Sequence, residues 1–181
     1  GPAEERHPFT PDRQQESEWV EQICAMMRRT YAEIIGAPVL VRFSLGTSTS
    51  RFFAYRNCEA LVDSGPLVPD QVVYCNGAPM WLGQPQEDNL LERAEAIIAE
   101  NEAGLQTPAC LLVDGLGLFS VALSPKLQES AVTTMEAVLD MLVVADCFGG
   151  PSPLSPESVQ FIRESESEAY RHRLIAGGDG K

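Results

Sequence analysis

The sequence predicts a single α/β domain. Long stretches with apolar residues at helical spacing alternate with short β-branched runs. One run, Ala109-Cys110-Leu111-Leu112-Val113, is apolar throughout, as a strand covered on both faces requires. At 181 residues the chain lies in the ordinary range for one domain, and no internal repeat or interdomain linker divides it. We expect a disordered leader with a tag remnant over residues 1–16, the domain over 17–176 and a disordered tail over 177–181. Gly1-Pro2 reads as a protease scar, so the chain is expected to be a fragment cut from a longer protein.

The first helix is predicted from Ser17 to Ile35, where Trp19, Ile23, Met26 or Met27, Tyr31 and Ile34 recur at steps of three and four. Gly36 and Pro38 end it. Val39 to Phe43 reads as a strand, and Phe52 to Tyr55 as a second. Ser64 to Asp70, with two prolines, reads as a rigid loop leading into a strand from Gln71 to Cys75. Gly77, Pro79 and Gly83 break the chain before a helix from Glu87 to Glu102.

Asp114-Gly115-Leu116-Gly117 is a sharp bend. It turns the apolar run back into Leu118-Phe119-Ser120-Val121 as a hairpin. Ser124 and Pro125 then supply a helix start, and Leu127, Ala131, Met135, Val138 and Leu142 line one face of a long helix. Its apolar end, Met141 to Ala145, is dense enough to pack on the sheet or on a partner chain. The last helix repeats the device at Ser155-Pro156-Glu157 and runs to about Leu174.

Composition excludes several functions. The 26 acidic and 13 basic residues give a formal charge of -13, which repels a phosphate backbone, so nucleic acid is not an expected partner. No apolar stretch has the length of a membrane span and no signal peptide is recognisable, so neither a membrane partner nor secretion is expected. Five widely spaced cysteines, mostly within apolar runs and never as Cys-x-x-Cys, fit reduced, buried thiols in a cytoplasmic protein.

Candidate chemistry is sparse. Gly46, Thr47, Ser48 and Arg51 together offer backbone donors, hydroxyls and a guanidinium to an anion, although a turn between two strands explains the same residues. Asp70, and the backbone at Gly115 and Gly117, complete the candidate ligand-binding set. His7 and His172 are the only histidines, both in contexts that suggest exposed surface, so no metal site and no Ser-His-Asp or Cys-His system is predicted. Glu164 and Glu168, one helical turn apart, read as surface charge compensated by Arg171 and Arg173.

Two segments carry a family resemblance. Gly65-Pro66-Leu67-Val68-Pro69-Asp70-Gln71-Val72-Val73-Tyr74, with Ala78-Pro79-Met80-Trp81, is one. Thr107 to Phe119, with the Gly115-Leu116-Gly117 turn and the long helix after it, is the other. Both resemble class II aldolase/adducin-like domains, in particular the rhamnulose-1-phosphate aldolase-like branch, over about residues 60–175. The terminal helix, Glu157 to Leu174, is similar as well.

The resemblance implies a three-layer α/β/α fold with a mainly antiparallel central sheet, assembled into oligomers. It also implies cleavage of a sugar phosphate with a divalent metal such as zinc, held by paired histidines that precede the part represented here. A further metal histidine of the family falls at Leu116, and the Gln71 position is often histidine. Leucine offers no lone pair to a metal. The expectation is therefore a metal-free domain, with no cofactor of its own. It would bind a small ligand or assemble with a second copy or an upstream domain, as adducin keeps the fold without the aldol chemistry. The alternative is part of a sugar-phosphate aldolase whose metal ligands lie upstream or on another chain.

Overall fold

The computed structural model describes residues 5–85 and 89–176, without the side chains of residues 171 and 173–176. The expected tag remnant, the expected helix start at Glu87, the tail after 176 and the pairing of Glu164 and Glu168 with Arg171 and Arg173 lie outside the described residues. A four-stranded sheet runs in the order β1 (Leu40–Ser44), β4 (Gly117–Ala122), β3 (Cys110–Val113), β2 (Met80–Leu82). β1 and β3 flank β4 antiparallel, with Phe43 opposite Phe119 and Leu111 opposite Phe119 on its two sides. β2 runs parallel to β3, a pairing that needs a crossover, and α5 (Leu90–Glu100) provides it.

Helices cover both faces, giving three layers. On one face α1 (Arg13–Ile35) and α5 meet the side chains of Leu111, Val113, Phe119 and Val121. On the other, α2 (Thr47–Ala54), α3 (Cys58–Val62) and α6 (Pro125–Cys147) pack over Cys110, Leu112 and Leu118, with α4 (Pro69–Cys75) docked on α6. The alternation of β3 residues between the two clusters explains its unbroken apolar sequence, because each face of the strand has its own core. The last helix, α7 (Pro156–Ala176), packs on α4.

Several local expectations hold. α1 buries Trp19, Ile23, Met26, Met27 and Tyr31, and each large apolar side chain so removed from water contributes roughly 1.5–3 kcal/mol. Ser124 Oγ accepts from the Leu127 amide, with Pro125 in the first turn of α6. Ser155 Oγ likewise accepts from the Ser158 amide at 3.1 Å. Cys58, Cys75 and Cys110 are buried thiols, whereas Cys147 is exposed and Cys24 half-buried.

Four expectations are corrected. Phe52 to Tyr55 is not a strand: Thr49, Phe52 and Phe53 are all buried, the i, i+3, i+4 pattern of one helical face, and Tyr55 follows the end of α2. Gln71 to Cys75 is helical for the same reason, since Gln71, Val72 and Cys75 are buried together, and Pro69 occupies the first turn, where its missing N–H is harmless. Met80 to Leu82, read as broken chain, is β2. α1 starts at Arg13, not Ser17, because Asp12 and Gln15 form a reciprocal capping box.

Candidate functional site

The β1–β4 pairing sets Ser44 opposite Leu118, so the C-terminal end of β1 and the β3–β4 turn lie together at one end of the sheet. Most of the sequence-predicted candidates collect there. Gly46 caps α2 in an extended conformation, without a side-chain cap of its own. The cap comes from α6: Glu136 accepts from the Thr49 amide at 3.1 Å and from the Thr49 hydroxyl. One helical turn on, Asp140 accepts from Ser48 Oγ at 2.7 Å and from Arg51 at 2.8 Å.

A carboxylate at a helix N-terminus is favoured by the free amides and the helix dipole. Gly46 leaves room for this approach, since a Cβ there would lie 2.7 Å from Glu136 Oε1 and push the carboxylate aside. Ser48 and Arg51 are thus brought together, on the protein's own carboxylates, while Thr47 is exposed. The sequence reading covered Thr49 within the segment 46–51 but missed Glu136 and Asp140. Position three after the cap signals Thr49, but nothing local links it to α6.

The β3–β4 turn is built differently. Asp114 is buried, and the Arg6 guanidinium reaches it with two bonds, 3.2 and 2.6 Å, while also donating to Cys58 Sγ at 2.9 Å. The bond to Asp114 raises the already high pKa of Arg6, and burial raises the Cys58 thiol while Arg6 partly opposes that rise. Gly115 adopts φ 77°, and a Cβ on it would collide with the Phe9 carbonyl oxygen. Gly117 lies against the Phe43 ring and the Ser44 carbonyl. Leu116 is 1% exposed, within the apolar cluster of α1 and the sheet.

Asp70 stands apart from these residues, exposed in the first turn of α4. Its neighbour Gln71 is buried, and its Oε1 accepts from the Leu67 amide at 2.9 Å. A separate cavity of about 300 Å³ opens between α4, α7 and the start of α6, lined by Tyr31, Ile35, Tyr74, Leu123, Leu127 and Tyr170. The Tyr31 hydroxyl donates to the Pro108 carbonyl, and burial pushes its pKa upward. A second cavity of about 470 Å³ shares Val73, Asn76, Leu105 and Tyr170 with it and adds Arg163 and Glu166.

His7 and His172 are exposed, and no group of three or more His, Cys, Asp or Glu among the described residues could hold a metal ion. Leu116, in the turn, lies among apolar side chains. The described residues therefore supply no cluster that fits a divalent ion.

No protein-family model matches the chain, and no curated protein matches it in sequence. Among solved structures it is similar to an aldolase II superfamily protein from Pseudomonas syringae, with TM-score 0.52 and 12% identity over 88% of this chain. The chain spans 62% of that protein's length. At this identity the likeness shows the fold alone: a three-layer α/β/α arrangement with a mixed, mostly antiparallel sheet, of class II aldolase type.

Proposed function

We propose that this chain is a metal-free domain of class II aldolase type that binds a small ligand or assembles with another chain within a larger protein. The observation that carries the reading is Leu116, an apolar side chain in an apolar core at the turn where the resemblance implies an imidazole. A leucine there cannot coordinate, and among the described residues no group of three or more His, Cys, Asp or Glu could hold a metal ion in its place.

Two surfaces support binding. The tyrosine-lined cavity offers apolar walls with a few polar atoms, the composition of a small-molecule site. On α6, Met141 and Val144 are exposed beside Leu67 and Val68, and Phe148 is exposed just past the end of the helix. A two-fold pairing would bring this stripe against itself, so a second copy of the chain is the occupant we assign to it. Cytoplasmic residence belongs to the same proposal; among the described residues no helix is long and apolar enough to cross a membrane.

The second reading is part of a sugar-phosphate aldolase completed by other residues, and the observation favouring it is that the chain spans 62% of the aldolase superfamily structure. Titration with zinc or manganese in excess magnesium and salt, paired with retro-aldol assays on rhamnulose 1-phosphate and fuculose 1-phosphate, separates the two. The proposal expects no stoichiometric site and no metal-dependent turnover. A salt-insensitive, stoichiometric site with turnover overturns it.

A further inference from the structure

We infer that Asp114 and Cys58 form a guanidinium-binding pocket, filled in cis by Arg6, and that the segment 5–10, ahead of the buried Pro11 and the Asp12 cap of α1, is a releasable strap whose charged anchor is that side chain. The pocket and its occupant differ in how they are held. Asp114 opens the β3–β4 turn directly after Val113, its side chain 4% exposed, and Cys58 begins α3 in the core. Arg6 is 27% exposed and belongs to a segment without regular structure.

Among the described residues, three further contacts hold the strap ahead of the buried Pro11. The Arg6 amide donates to the Ala54 carbonyl at 2.9 Å, the Phe9 ring lies 6.1 Å from Trp19, and the Phe9 backbone crosses directly over Gly115. Gly115 lacks a side chain where the strap passes, so the sequence of the turn is matched to having a chain above it. The strap thereby covers the end of the sheet at which Gly115 and Gly117 gather.

The chemistry of the pocket specifies its ligand. Two carboxylate oxygens facing two guanidinium nitrogens form the fork geometry that arginine satisfies and a lysine ammonium does not. The thiol of Cys58 accepts from the same nitrogen that reaches Asp114 Oδ1, which further fixes the plane of the cation. Removing Arg6 leaves a buried carboxylate without a counter-charge, a state that favours capture of a replacement cation of the same shape.

The test is chemical rescue. Iodoacetamide labelling of Cys58 reports strap opening, and labelling of Cys110, which is fully buried in the core, reports global unfolding. Taken from pH–rate profiles, so that access is separated from the rise in thiol pKa that loss of the Arg6 charge allows, the Cys58 rate in Arg6→Ala should rise by about tenfold or more while Cys110 stays protected, as local opening of a weakly held segment predicts. Millimolar ethylguanidinium should slow Cys58 again, and ethylammonium at equal ionic strength should not.

An unchanged Cys58 rate, a joint rise of Cys58 and Cys110, or equal rescue by both cations overturns the inference. Wild-type protein gives an independent arm: hydrogen exchange of the Arg6 amide, held on the Ala54 carbonyl, should be slow and should accelerate with ethylguanidinium but not with ethylammonium. Exchange that is fast from the outset, or indifferent to the cation, overturns it too.

Discussion

Glu136 and Thr49 lie 87 residues apart, and the carboxylate of one accepts from both the amide and the hydroxyl of the other. α6 therefore supplies the N-terminal cap that α2 lacks in its own sequence. Removing a helix cap costs about 0.5–2 kcal/mol, and leaving a buried donor unpaired adds to that. Glu136→Ala should destabilise the domain by roughly 1–3 kcal/mol in urea unfolding, and Glu136→Gln by less, since its amide oxygen still accepts. Equal losses for the two variants would assign the effect to packing and not to the cap.

The position of Leu116 makes a second prediction. Leu116→His places an imidazole in the apolar cluster of α1 and the sheet. Stability should fall by about 2 kcal/mol or more, and zinc titration should show no new stoichiometric site. Tight zinc binding by this variant would mean that further donors reach the turn.

The long helix distinguishes core from interface. Val138 is fully buried, whereas Val144 is 56% exposed on the stripe assigned to a second copy. Val138→Asp should unfold the domain because it buries a charge without a partner. Val144→Asp should keep the melting temperature of the monomer and weaken self-association in sedimentation at micromolar concentration. Wild-type protein that sediments only at 19.7 kDa removes the proposed pairing.

A pH prediction rests on Tyr55. Its hydroxyl donates to Asp146 Oδ2 at 2.7 Å, and this bond pushes the phenol from an ordinary 10 up to about 12. Asn57 and Tyr55 in turn hold the Asp146 carboxyl below its usual range. Because the folded state favours the protonated phenol, this contribution is fully present below pH 10 and is lost as pH rises towards 12. Absorbance titration near 295 nm, compared with Tyr55→Phe, should assign the last-titrating accessible phenol to Tyr55, and Asp146→Asn should bring it back towards 10.

Sequence alone determined what is local and long. The five-residue apolar run, its hairpin through Gly115 and Gly117, the Ser124-Pro125 start of α6 and the buried stripe of α1 follow from periodicity and capping chemistry, and the structure contains each. Tertiary structure decided the short segments. Runs such as Phe52–Tyr55 and Gln71–Cys75 are too brief for the chain to distinguish two faces of a strand from one face of a helix, and it is the layer above the sheet that selects the helix. The candidate site divides in the same way. Gly46, Ser48 and Arg51 were visible as an anion-binding composition, yet the anions beside them, Glu136 and Asp140, come from a distant helix. Arg6 meets Asp114 across 108 residues. No spacing rule encodes such pairs, because a partner so far along the chain becomes a neighbour only when burial of the two apolar cores brings the elements together.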